Sequence, residues 1–176
     1  MVSFFEGKED LKTAYDMVQN LHDQIHVNND LIEPYLKGDM NLDKLNAIMT
    51  IEGMCFIQDE VISHLNHFYN LGVRIASLTW NEENNLATGA KSNPSRGLTQ
   101  LGYEAVKQMN EIGMIIDVSH LNEKSFWEVL EISTKPVIAT HSNSRKYANV
   151  DRNLTDQQVK ALINQKGLIG LNAVRY

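Results

Sequence analysis

Gly-Met-Ile-Ile-Asp-Val-Ser-His, residues Gly113 to His120, is an apolar run too short for a helix, bounded by glycine and ending on a histidine. Upstream lies a helical stripe, Tyr103, Val106 and Met109, opened by Thr99 and stopped by Gly113. Downstream, Asn122 is placed to cap a helix with Phe126, Val129 and Leu130 on one side. A short apolar run between single helices reads as a buried strand, here Met114 to Val118. The same alternation predicts strands at Ala47 to Gly53, Val73 to Thr79, Val137 to Thr140 and Leu168 to Leu171. Helices are predicted from the stripe Leu11, Ala14, Tyr15, Val18, Leu21 and Ile25, from Val61, Ile62, Leu65, Phe68 and Tyr69, and after a Thr155–Gln158 capping box. Pro34 and Gly38 close the first helical region, and Gly72 and Gly167 stand where helices end. The repeated unit is βαβ, so the fold class is α/β with a parallel sheet covered by helices.

The 176 residues carry 16 Lys plus Arg against 22 Asp plus Glu, a net charge of −6, and 43% are apolar. This suits roughly one domain with a packed core, residues 1–176. An acidic chain without a Lys/Arg run argues against nucleic acid, whose binding needs neutralised phosphates. No apolar stretch nears the roughly 20 residues that span a bilayer, so no membrane partner is expected. The start, Met1 to Glu6, lacks the basic head and apolar stretch of a signal peptide. The single Cys55 sits in an apolar run and suits a reducing compartment. A cytoplasmic location is therefore expected. No Gly-rich phosphate loop is present, which sets a nucleotide-binding reading aside.

The carboxyl ends of parallel strands carry the ligand site in such folds. Glu52 ends one predicted strand, His120 and His141 end two others, and Trp80, Asn81 and Asn172 also follow strands. Parity puts Ile48, Thr50 and Glu52 on one strand face, Ile116, Val118 and His120 on another, and Val137, Ala139 and His141 on a third. If these faces point the same way, one carboxylate and two imidazoles converge, a three-ligand set suited to zinc with an open position. A lone histidine at a strand end is more often a hydrogen-bonded rim residue, and only the joint arrangement carries the metal reading. A competing pair, His22 and His26, lies at i and i+4 on one helix, but Asp23 is short for the base of a His-Glu-x-x-His site and no third ligand follows. His64 and His67 read as surface residues. The long polar loop from Asn81 to Arg96 reads as functional or mobile.

The words Gly113 to His120, Pro-Val-Ile-Ala-Thr-His-Ser-Asn (Pro136 to Asn143) and Asp-Arg-Asn-Leu-Thr-Asp (Asp151 to Asp156) resemble the membrane (renal) dipeptidase family of zinc peptidases. The resemblance extends upstream to Ile51-Glu52-Gly53, to Phe68 through Arg74, and to Leu78-Thr79-Trp80-Asn81. It implies a (β/α)8 TIM-type barrel of the metal-dependent hydrolase kind, with two zinc ions, that cleaves dipeptides, some with a D-residue at the carboxyl side. By that resemblance Glu52 is the carboxylate bridging the metals, His120 and His141 are ligands of one metal, and Arg152 holds the substrate carboxylate. Trp80 stands where some relatives have a histidine beside the substrate carbonyl.

The resemblance also implies pieces that this sequence lacks. The His-x-Asp pair of the family's first strand occurs nowhere here, and the late acidic residue that handles the water's proton is not reached before Tyr176. A full barrel takes about 250 residues. The sequence is thus expected to form the middle of a barrel, without its first and last strands, holding at most one zinc. The expected activity is a metallodipeptidase that is weak or inactive as this chain. A non-catalytic fragment or pseudoenzyme of the same fold is the alternative. A homo-oligomer is left open.

Overall fold

The computed structural model describes residues 2–3 and 8–173. Most of the amino-terminal stretch read for a signal peptide, and Tyr176, lie outside the described residues. Four strands, β1 (Val2–Ser3), β4 (Met49–Glu52), β5 (Val73–Ser77) and β6 (Ile115–Asp117), pair in parallel in the order β1-β4-β5-β6. The ladder continues through single parallel bridges, Asp117 to Ile138 and Ala139 to Ile169. The segments predicted as strands at Val137 to Thr140 and Leu168 to Leu171 therefore hold their places in the strand order, but as bridges and not as full strands. The helices are α1 (Leu11–Val27), α2 (Val61–Asn70), α3 (Gln100–Ile112), α4 (Glu123–Ile132) and α5 (Asp156–Asn164).

The predicted caps are present. Thr99, Asn122 and Thr155 accept hydrogen bonds from the first turns of α3, α4 and α5, and Thr155 with Gln158 completes the capping box. Gly113 closes α3 in the left-handed region. Gly167 serves differently from the predicted helix stop. Lys166 takes the left-handed conformation after α5, while a Cβ on Gly167 would lie 2.2 Å from the Val137 carbonyl oxygen. The glycine permits the close approach that lets the Leu168 region join the sheet.

Each helix turns its apolar stripe inward. Val61, Leu65 and Phe68 of α2 pack with Ala105, Val106 and Met109 of α3 over Ile51, Ala76 and Ile116 of the sheet, all of them buried. A second small parallel sheet, β2 (Ile32–Pro34) with β3 (Leu45–Ala47), was not legible in the sequence. Its register is held largely by backbone pairing, and Leu31, Leu36, Leu42 and Leu45 remain exposed, so there is no alternation to read. It also takes Ala47 away from the strand predicted over Ala47 to Gly53, which starts at Met49.

Candidate functional site

Glu52 is the last residue of β4, and Gly53 at φ +82 turns the chain away behind it, its N–H donating to Ser77 Oγ. Glu52 Oε1 lies 2.8 Å from Nε2 of His120 and 2.8 Å from Nε2 of His141, and the two Nε2 atoms are 2.9 Å apart. Glu52 and His120 are buried and His141 is half-buried. These three form the one group of metal-competent side chains among the described residues.

The convergence is the predicted one, but parity is only part of its cause. The strand β6 stops at Asp117, and the chain reaches His120 through a turn in which His120 itself has φ +73. Histidine tolerates the left-handed region better than most residues, and such conformations concentrate at functional sites. His141 is held by its N–H, which donates to Ser119 Oγ across the two turns. Turn geometry, not a continuous pleat, aims both imidazoles at Glu52.

Arg152 is buried and joins the same site from the loop before α5. Its Nε lies 3.1 Å from His120 Nδ1, Nη1 donates to Ser142 Oγ at 3.0 Å, and Nη2 donates to the His141 carbonyl at 3.0 Å. Asn81 Oδ1 is 3.0 Å from the same His120 Nδ1. The Trp80 ring leans over His120 with centroids 5.8 Å apart. Burial pushes the His120 imidazole below the ordinary histidine value; the Glu52 hydrogen bond opposes this shift, and Arg152 adds to it.

A cavity of about 240 Å³ opens over these groups, lined by Glu52, His120, His141, Arg152, Trp80, Asn81, Lys91 and Asn172. Lys91 and Ser142 carried no spacing signal in the sequence. The Asn81 to Arg96 loop supplies Lys91, and it is pinned at several points. Arg96 donates to the carbonyls of Asn84 and Ala87, and Asn122 Nδ2 donates to those of Asn93 and Arg96. Asp117 and Thr140 lie behind His141: Thr140 Oγ1 is 2.7 Å from His141 Nδ1 and 2.5 Å from Asp117 Oδ2.

The other histidines do not assemble. His22 Nε2 meets the Leu71 carbonyl, His26 is exposed, and His64 Nδ1 meets the Tyr15 hydroxyl. His64 is thus half-buried and not a fully solvated residue, while His67 is exposed, as read, with its ring edge-to-face with Tyr15, centroids 4.8 Å apart.

One carboxylate oxygen and two imidazole nitrogens are a donor set of the kind that zinc takes. Their triangle, 2.8–2.9 Å on a side, is tighter than the edges of a tetrahedral site with bonds of about 2.0–2.1 Å, and opening by roughly half an ångström would fit it. The residues therefore suit a metal ion in number and type, and in spacing after that small opening.

Strand order and site together define a partial parallel α/β barrel with a carboxylate–imidazole cluster at the carboxyl ends of its strands. Residues 5–176 match the family model for membrane dipeptidase (peptidase family M19), and the chain belongs to that family. It is 30% identical over 181 residues to an uncharacterized dipeptidase of Schizosaccharomyces pombe, covering 93% of this chain and 43% of that protein. Among solved structures, an amidohydrolase from Pseudomonas aeruginosa superposes with a TM-score of 0.86 at 25% identity, covering 97% of this chain and 52% of the other. A metallo peptidase from Rhodobacter sphaeroides, solved with a phosphinate mimic of L-Ala-D-Ala, does so at 0.80 and 27%, covering 90% and 48%. The chain thus spans about half the length of these structures, and somewhat less of the curated relative. The family is one of peptidases, and the Rhodobacter neighbour is itself a metallo peptidase.

Proposed function

We propose that this site serves a zinc-dependent dipeptidase, in which Glu52, His120 and His141 hold one ion and Arg152 receives the free carboxylate of a dipeptide. The observation that carries the reading is the Glu52–His120–His141 triangle at the strand ends, with Arg152 against two of its members. A bound zinc would supply an acidified water and a polarised carbonyl.

The protein's own residues do the rest. The Arg152 guanidinium is held in a fixed plane by the Ser142 hydroxyl and the His141 carbonyl, so its orientation is set before substrate arrives. A planar cation so placed recognises a carboxylate and favours substrates short enough to bring that terminus beside the scissile bond. Trp80 walls the pocket over His120 and limits water there. The Rhodobacter relative's ligand, a mimic of L-Ala-D-Ala, supports dipeptides, including those with a D-residue at the carboxyl side, as the substrate class.

We infer likewise that residues 1–176 belong to a single, incomplete barrel domain and that the protein is cytoplasmic, the latter on the single buried Cys55. With one three-ligand set among the described residues, the reading for these residues is one ion. Metal analysis of the chain loaded with zinc, together with Glu52→Gln, tests it. One zinc per chain is expected, with a loss of affinity in Glu52→Gln beyond the roughly 10–100-fold that removal of an outer partner costs. Zinc binding unaffected by Glu52→Gln would overturn the ligand assignment. Zinc bound at this site without turnover of any dipeptide would favour the non-catalytic alternative.

A further inference from the structure

Asp117 is buried at the end of β6 and does not line the pocket. Its Oδ1 accepts from the Ser119 N–H at 2.9 Å and from the Thr140 N–H at 3.1 Å. Its Oδ2 lies 2.5 Å from Thr140 Oγ1, which in turn lies 2.7 Å from His141 Nδ1. What each atom can do sets the direction of these bonds. A carboxylate only accepts, so Thr140 gives its single hydroxyl proton to Asp117. The Thr140 oxygen is then an acceptor toward the ring, and His141 Nδ1 must carry a proton. In a neutral imidazole this leaves Nε2 with its lone pair, 2.9 Å from His120 Nε2, whose N–H is placed to donate both to it and to Glu52 Oε1.

We propose that Asp117 and Thr140 are positioning residues that lock His141 in the tautomer whose Nε2 can ligate an ion. The proposal rests on the metal reading above and adds to it. Outer partners of this kind fix both the ring and the proton of a ligating histidine. Here one carboxylate does both, because Oδ1 ties the turn after β6 to the Thr140 backbone while Oδ2 orients the hydroxyl.

The arrangement makes Asp117→Asn a reversal and not merely a loss. The amide oxygen keeps the two backbone N–H groups, and Nδ2 takes the place of Oδ2. That N–H donates to Thr140 Oγ1, the hydroxyl turns to donate to His141 Nδ1, and the ring proton moves to Nε2, the atom that would otherwise ligate an ion. Thr140→Val removes the hydroxyl at nearly constant shape, and Thr140→Ser restores it.

Two measurements on the whole chain test this: the ring nitrogen signals of His141 in the metal-free protein, which report its tautomer, and zinc affinity by competition with a chromophoric chelator. The wild type and Thr140→Ser should show Nδ1 protonated, and Asp117→Asn should show Nε2 protonated. Zinc should bind about 10–100-fold more weakly to Asp117→Asn and Thr140→Val, with Thr140→Ser within a few-fold of the wild type. Recovery in Thr140→Ser separates loss of the hydroxyl from loss of the fold. A wild-type ring protonated at Nε2, or a tautomer unchanged in Asp117→Asn, overturns the proposal. If the wild type binds no zinc while Asp117→Asn still reverses the tautomer, the relay stands and the metal reading falls.

Discussion

Arg152 Nε lies 3.1 Å from Nδ1 of His120, the ring nitrogen opposite the one that faces Glu52. The group proposed to hold substrate and a group proposed to hold the ion therefore share one imidazole. An arginine only donates, so it calls for a lone pair on Nδ1. A ring that ligates through Nε2 instead carries its proton on Nδ1, and Asn81 Oδ1, 3.0 Å away, is placed to accept it.

Arg152→Lys separates these roles. A lysine keeps the charge but not the planar fork, and hydrogen bonds to charged groups are worth roughly 1.5–3 kcal/mol. Binding of a phosphinate dipeptide mimic to the zinc-loaded chain, followed by calorimetry, should weaken about 10–100-fold while zinc affinity holds. Mimic binding equal to the wild type would remove Arg152 from substrate recognition. Zinc affinity falling with it would make the residue a support of the ligand set.

Gly102, in the first turn of α3, looks replaceable by helix propensity, where alanine is better by about 1 kcal/mol. The packing says otherwise. A Cβ there would lie 2.0 Å from the Leu86 carbonyl oxygen, which is backbone and cannot swing aside. Gly102→Ala should cost about 1–3 kcal/mol, a fall of roughly 2–10 °C in a thermal melt. A melting point at or above the wild type would mean that the loop before α3 yields readily.

Cys55 is buried beside Glu9, and burial first, then the hydrogen bond to Glu9, pushes its thiol from 9.0 up to about 12. Below pH 9 both native and unfolded chains keep this proton. Between pH 9 and about 12 the unfolded chain loses it and the native chain does not, so this group's contribution to stability falls as pH rises. The melting point of the wild type should therefore drop more steeply from pH 8 to pH 10.5 than that of Cys55→Ala. The native thiol should also stay unreactive to iodoacetamide at pH 8.5. Parallel slopes for the two proteins, or rapid alkylation of the folded chain, would count against the shift.

From Met49 onward the order of strands and helices, the caps at Thr99, Asn122 and Thr155, and the candidacy of Glu52, His120 and His141 were legible in the sequence, whereas β1 was not read and Arg152 came only from the family resemblance. The reason is physical: apolar period, capping chemistry and a polar residue at the end of each apolar run are local signals, written within a few neighbouring residues. Other features had no local signal. The small β2–β3 sheet pairs exposed segments through their backbones, and Gly167 is needed because a carbonyl 30 residues away comes against it. Asp117 read as one more residue of a strand, and Thr140 as the end of another. Only tertiary structure brings the two hydroxyl and carboxylate oxygens to 2.5 Å and so gives His141 a defined proton. The identity of the site residues is thus local chemistry. Their aim, through the left-handed turn at His120 and the hydrogen bonds behind both rings, depends on contacts between segments far apart in the chain.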